Sequence, residues 1–185
     1  MKPILIAGVV GGLVLFVWGF LSWAVLPWHN ATMPNLPNEE AVIETLSASI
    51  TATGVYQFPG MPANEADTQA WTEKFKRGPY GMLVYTVEGA NPMSPKPFIG
   101  GLILNFISAT LVAYLLSLAA NKLSGYNQRV TFVALIGVFA ALVSHITAWN
   151  WMYIPTGYSL VMAADIVIGW LLAGLVIAWR MKPAA

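Results

Sequence analysis

Apolar residues in this chain gather into four long blocks instead of recurring at helical or strand spacing. The blocks are Ile4 to Leu26, Phe98 to Ala120, Val130 to about Asn150, and Tyr158 to Trp179. A helix rises about 1.5 Å per residue and the hydrocarbon layer of a bilayer is about 30 Å thick, so about 20 apolar residues make one crossing. Every block reaches that length, and the pattern predicts four transmembrane helices. The first two blocks hold no acid, base or histidine, the third holds only His145, and the fourth only Asp165. The first block exceeds the roughly 7–15 apolar residues of a secretory signal, and is expected to remain as an anchor.

A polar stretch separates the first two blocks. Pro34 and Pro37 keep its start extended, because each disfavours helix in the preceding residue. Asn38 is placed to begin a helix with Glu39 and Glu40 in its first turn and Val42, Ile43, Leu46 and Ile50 as an apolar stripe. Gly54 stops it, and Val55 to Phe58 reads as a strand closed by Pro59-Gly60. Asn64 to Arg77 reads as a second helix, and Met82 to Val87 as a second strand. The expected fold is an all-α membrane protein, a four-transmembrane-helix bundle with a small α+β extracytoplasmic insertion between helices 1 and 2. The expected divisions are 1–27 for the first span, 28–97 for the outer segment and 98–185 for the other three spans. Connectors are usually far shorter than this insertion, which favours a docking surface over a plain linker.

Charge gives the direction. Lys2, Lys122, Arg129, Arg180 and Lys182 flank the spans on one face, and the loop Trp151 to Gly157 on the other face has none. Basic flanks stay inside, so both termini are expected to be cytoplasmic and 28–97 periplasmic, in a bacterial inner membrane. Trp28, Trp149, Trp151 and Tyr153 then form an outer aromatic rim, where an apolar ring and a polar N–H or O–H each find a suitable medium. Only 9% of the residues are charged, against roughly 25% in soluble domains. A net charge of +1 without a basic run gives no footing for nucleic acid. The lack of cysteine excludes disulfides, thiolate metal sites and cysteine nucleophiles from this sequence.

Three polar side chains within the blocks carry the candidate chemistry. By helical rise, His145 lies about 22 Å along the third span and Asp165 about 10 Å down the fourth, with Asn105 at a matching depth on the second. Each sits on a ladder of mostly small residues four apart: Gly101, Asn105 and Ala109; Gly137, Ala141 and His145; Asp165, Gly169 and Ala173. Residues four apart share a helical face, and small ones let membrane helices pack closely. Gly8 and Gly12 offer the same face on the first span. Asn105, His145 and Asp165 are therefore expected to meet inside the bundle, either as a latch fixing helix register or as a proton, ion or ligand site. No cofactor is expected; a haem or chlorophyll on His145 is the weaker alternative. His29, beside Trp28, reads as an interfacial residue, and two histidines are too few to hold a metal.

Leu26-Pro27-Trp28-His29, the Gly-Val-Tyr-x-x-Pro-Gly stretch at Gly54 to Gly60, and Trp149-Asn150-Trp151 together resemble a group of uncharacterised small bacterial four-helix inner-membrane proteins. The resemblance spans most of the chain and implies a bacterial plasma membrane; it brings no activity with it. No nucleotide-binding, zinc-protease or serine-hydrolase motif is present. The expected role is a non-catalytic accessory or scaffold subunit of a larger integral membrane complex, of the respiratory, photosynthetic or membrane-oxygenase kind. Its partners would be the lipid bilayer and other membrane-protein subunits. The alternative is a small transporter, channel or membrane enzyme using the His–Asp–Asn layer.

Overall fold

The computed structural model describes residues Met1–Lys182, so the last three residues of the expected 98–185 stretch lie outside the described residues. In chain order the elements are α1 (Lys2–Val25), α2 (Trp28–Thr32), α3 (Glu39–Ser49), β1 (Gly54–Phe58), α4 (Thr68–Arg77), β2 (Gly81–Tyr85), α5 (Pro95–Lys122), α6 (Tyr126–Met152) and α7 (Thr156–Arg180). Four of them, α1, α5, α6 and α7, are long and apolar enough to cross a membrane. They match the four apolar blocks and extend most of them by a few residues, because polar and proline residues form the end turns. The chain divides into two compact units, Asn35–Met93 and the remainder. Trp28 to Pro34 belong with the long helices, not with the insertion as the expected boundary had it.

In the helical unit α1 is central. It packs against α5 on one side and α7 on the other, α6 packs against α7, and α5 meets α6 and α7 only slightly. Glycine sets the closeness of α1 to α5. A Cβ at Gly8 would lie 2.8 Å from the Thr110 Cα, and one at Gly12 would lie 2.8 Å from the Phe106 Cα and 2.9 Å from its backbone nitrogen. Ala109 and Ala173 are fully buried and Ala141 nearly so. A Cβ at Gly137 would collide with the Trp170 Cβ, and one at Gly169 would lie 2.9 Å from Trp18 Cδ1. These positions behave as the small-residue ladders predicted. Gly101 does not: a Cβ there would meet nothing within 4 Å. It lies near the start of α5, before the ladder reaches the buried Ala109, so it has no opposing helix to accommodate.

The core, Ala7, Ala109, Val112, Ala113, Leu116, Val133, Ala173, Ile177 and Met181, lies toward the end of the unit that carries the chain's N-terminus and the end of α7. Arg129 fastens that end. It is 5% exposed, and its guanidinium donates to the carbonyls of Ala178 (3.2 Å), Leu123 (3.0 Å) and Ser124 (2.7 Å). Ala178 falls in the last turn of α7, where carbonyls lack helical partners and the helix dipole favours a cation.

The insertion is a two-stranded antiparallel sheet with two helices. β1 pairs with β2 from Gly54↔Tyr85 to Phe58↔Gly81. The second strand ends at Tyr85, two residues before the expected Val87. The Tyr85 hydroxyl donates to Ser47 Oγ on α3 at 3.4 Å. Asn64 Oδ1 accepts the Asp67 N–H at 3.2 Å and starts the tight turn that leads into α4. Asn38 occupies the position before α3 in a left-handed conformation (φ 53°), without capping the helix through its side chain. Strand alternation leaves Val55 and Val84, a directly paired couple, on an exposed face.

Candidate functional site

The site begins with a change of helical pitch. The last turn of α1, Leu21–Val25, is π-helical, and the Leu26 N–H donates five residues back to the Leu21 carbonyl at 3.0 Å. Pro27 has no N–H to continue the ladder, and Leu26 ahead of it is extended (φ −80°, ψ 138°). The chain therefore doubles back and forms the short α2 against the end of α1 and against α7. That reversal carries His29 inward until it is 1% exposed.

His29 Nε2 stands 3.0 Å from Ser22 Oγ and 3.7 Å from Asp165 Oδ2. The Trp28 indole N–H donates to Ser22 twice, to its hydroxyl at 3.0 Å and its carbonyl at 3.2 Å. Trp23 stacks on the imidazole with ring centres 3.9 Å apart and planes 9° apart. Trp28 meets the same ring edge-on at 5.5 Å. From α1, the Trp18 indole N–H donates to the Asp165 backbone carbonyl at 3.1 Å. Two polar atoms in this cluster are buried and lack a hydrogen-bond partner among the described residues: His29 Nδ1 and Asp165 Oδ1. Unmade hydrogen bonds at buried atoms are uncommon in folded proteins and call for a reason.

Serine, histidine and aspartate are the residue types of a hydrolase triad, but the geometry differs. A triad holds serine on one imidazole nitrogen and aspartate on the other, so that the carboxylate orients the ring while the far nitrogen takes the serine proton. Here Ser22 and Asp165 face the same nitrogen, Nε2. The arrangement holds the histidine in place and offers no proton relay through the ring.

Asp165 also lines a cleft of about 290 Å³ with Asn105 and Ser108 of α5 and the indoles of Trp18 and Trp170. The cleft exists because α5 and α7 scarcely touch, while α1 packs against both. The Asp165 side chain is 15% exposed. The Asn105 side chain makes no hydrogen bond within the described residues.

Of the three polar residues expected to meet, the structure brings two together. Asn105 and Asp165 share one cleft. His145 does not join them: no hydrogen bond or ion pair links it to Asp165, and the histidine on that carboxylate is His29. The third of the long helices carries a second π-helical turn here, Leu142–Ile146, in which the Thr147 backbone N–H donates to the Leu142 carbonyl. A π turn inserts one residue and rotates the residues beyond it by about 100°. Gly137 and Ala141 are buried on the expected line; His145 falls inside the turn and is half-buried. His29 was expected at the interface and is buried. Trp28, expected in an aromatic rim, is half-buried over Ser22; Trp149, Trp151 and Tyr153 are exposed. Ser22 and Ser108 were not anticipated. For Ser22 the available signal was its place seven residues before His29 across a proline. Among the described residues no three His, Cys, Asp or Glu side chains gather as a metal site would require. No protein-family model, curated protein or solved structure matches the chain.

Proposed function

We propose that this chain is a four-span protein of the bacterial inner membrane, with both termini cytoplasmic and Asn35–Met93 periplasmic, that binds a small molecule in the Asp165 cleft as a carrier or transporter does. Four apolar helices and the basic residues flanking them support the membrane placement. The observation that carries the function is the cleft itself. A carboxylate, an amide and a hydroxyl converge on one opening between spans, where ionisable side chains are costly and mark ligand paths. The buried His29 holds the carboxylate from behind and leaves one of its oxygens without a partner.

Native mass spectrometry of the protein purified in mild detergent tests this reading. The expected spectrum carries a one-to-one small-molecule adduct that disappears in Asn105→Leu, which replaces the amide with a bulkier apolar group and breaks no hydrogen bond among the described residues. Identical, adduct-free spectra from both proteins overturn it.

A second reading, the accessory subunit of a larger membrane complex, is favoured by a separate observation. Val55 and Val84 are 64% and 74% exposed as a pair on one sheet face, an apolar surface of the kind a partner covers. On this reading a partner co-migrates with the wild type and is lost in Val84→Glu.

A further inference from the structure

A second, apolar groove of about 410 Å³ lies beside the Asp165 cleft, between α1 and α5. Gly19 and Asn105 line both. The second groove is walled by Phe16, Phe20, Trp23, Pro97 and Phe98. A Cβ at Gly19 would meet nothing within 4 Å, so the wall between the two spaces is low at that residue. The first space is lined in part by polar and acidic side chains, and the second is almost wholly hydrocarbon and aromatic.

From this we infer that the site takes a single-chain amphiphile with a cationic amine head, the head against Asp165 and Asn105 and the tail along Phe16, Phe20 and Phe98. This rests on the reading of the cleft as a ligand site and adds the chemical class. The sign comes from the lining. Among the described residues that line the cleft, Asp165 is the one with a formal negative charge. Trp18 and Trp170 also line it, and indole rings attract cations to their faces. Asn105 and Ser108 accept hydrogen bonds from ammonium N–H groups as readily as they donate. An anionic head would be repelled by the carboxylate, and a neutral hydroxyl head would gain one hydrogen bond without the ionic attraction. The size comes from the volume: about 290 Å³ is at the low end for ligand pockets, which suits a head of a few heavy atoms and leaves the tail to the groove.

The test uses the full chain in nanodiscs of zwitterionic lipid and three probes with the same brominated twelve-carbon tail, bearing an ammonium, a hydroxyl or a carboxylate head. Bromine quenches tryptophan on contact, and Trp23 lines the tail groove. The ammonium probe is expected to quench saturably, with affinity weakened about tenfold or more by Asp165→Asn and about threefold by Asn105→Ala. The hydroxyl and carboxylate probes are expected to quench only in proportion to their partition into lipid. Asn105→Ala guards against misfolding of Asp165→Asn, since the Asn105 side chain makes no hydrogen bond among the described residues. Saturable, Asp165-dependent quenching by the hydroxyl or carboxylate probe overturns the cationic class and leaves the ligand site standing. Saturable quenching by none of the three overturns the inference, and if the native adduct is also absent the ligand site falls with it.

Discussion

Gly12 packs against two backbone atoms of α5, so Gly12→Ala gives a direct test of the helix arrangement. The added Cβ would lie 2.8 Å from the Phe106 Cα and 2.9 Å from its nitrogen. Backbone atoms cannot rotate aside, so α1 and α5 must separate by about 1 Å to restore van der Waals contact. Overpacking of this kind costs about 1–3 kcal/mol. Alanine also gains about 0.5–1 kcal/mol over glycine in helix propensity, which hides part of that cost. Gly101→Ala cancels the ambiguity. It lies in a helix of similar character, gains the same propensity and meets nothing within 4 Å. The stability difference between the two variants is therefore the packing cost alone, about 1–3 kcal/mol in favour of Gly101→Ala. Unfolding in mixed micelles of rising dodecyl sulfate fraction, followed by tryptophan fluorescence, measures it. Equal midpoints for the two variants would refute the claim that α1 and α5 meet at Gly12.

The hydrogen-bond pattern sets two further outcomes. Arg129→Gln should cost about 2–4 kcal/mol in the same unfolding assay, because three carbonyls at the core end lose a charged donor; Arg129→Lys should restore little, since an ammonium cannot span all three. His29→Ala should cost about 2–3 kcal/mol and shift the tryptophan emission, as the stack on Trp23 and the bond to Ser22 are lost, whereas His145→Ala should cost under about 1 kcal/mol; a larger penalty at His145 would return it to the site.

How much was legible beforehand differs by scale. The four long helices were readable because an apolar run of span length has few alternatives: its own backbone must satisfy its hydrogen bonds, and a helix does so locally. The insertion's elements were readable for a similar reason, since Gly54, Gly78 and the prolines end each run where backbone geometry demands it. Small residues at Gly8, Gly12, Gly137 and Gly169 announced close approach, and each has a close neighbour. Gly101 looked the same in sequence, because four-residue spacing names a face but not whether a partner helix reaches it.

The site divides along the same line. Asn105 and Asp165 were found by depth and polarity, both properties of a residue's position along its own helix. Which histidine meets Asp165 was not. The choice depends on the π-helical turn that ends α1 and on the Pro27 reversal that folds His29 back onto it. Sequence by itself determined the local order of this chain, since length and hydrophobicity act residue by residue. The neighbours of each helix, and so the contents of the Asp165 cleft, were decided only by tertiary packing, because a rotation of one helix exchanges its partners without changing its composition.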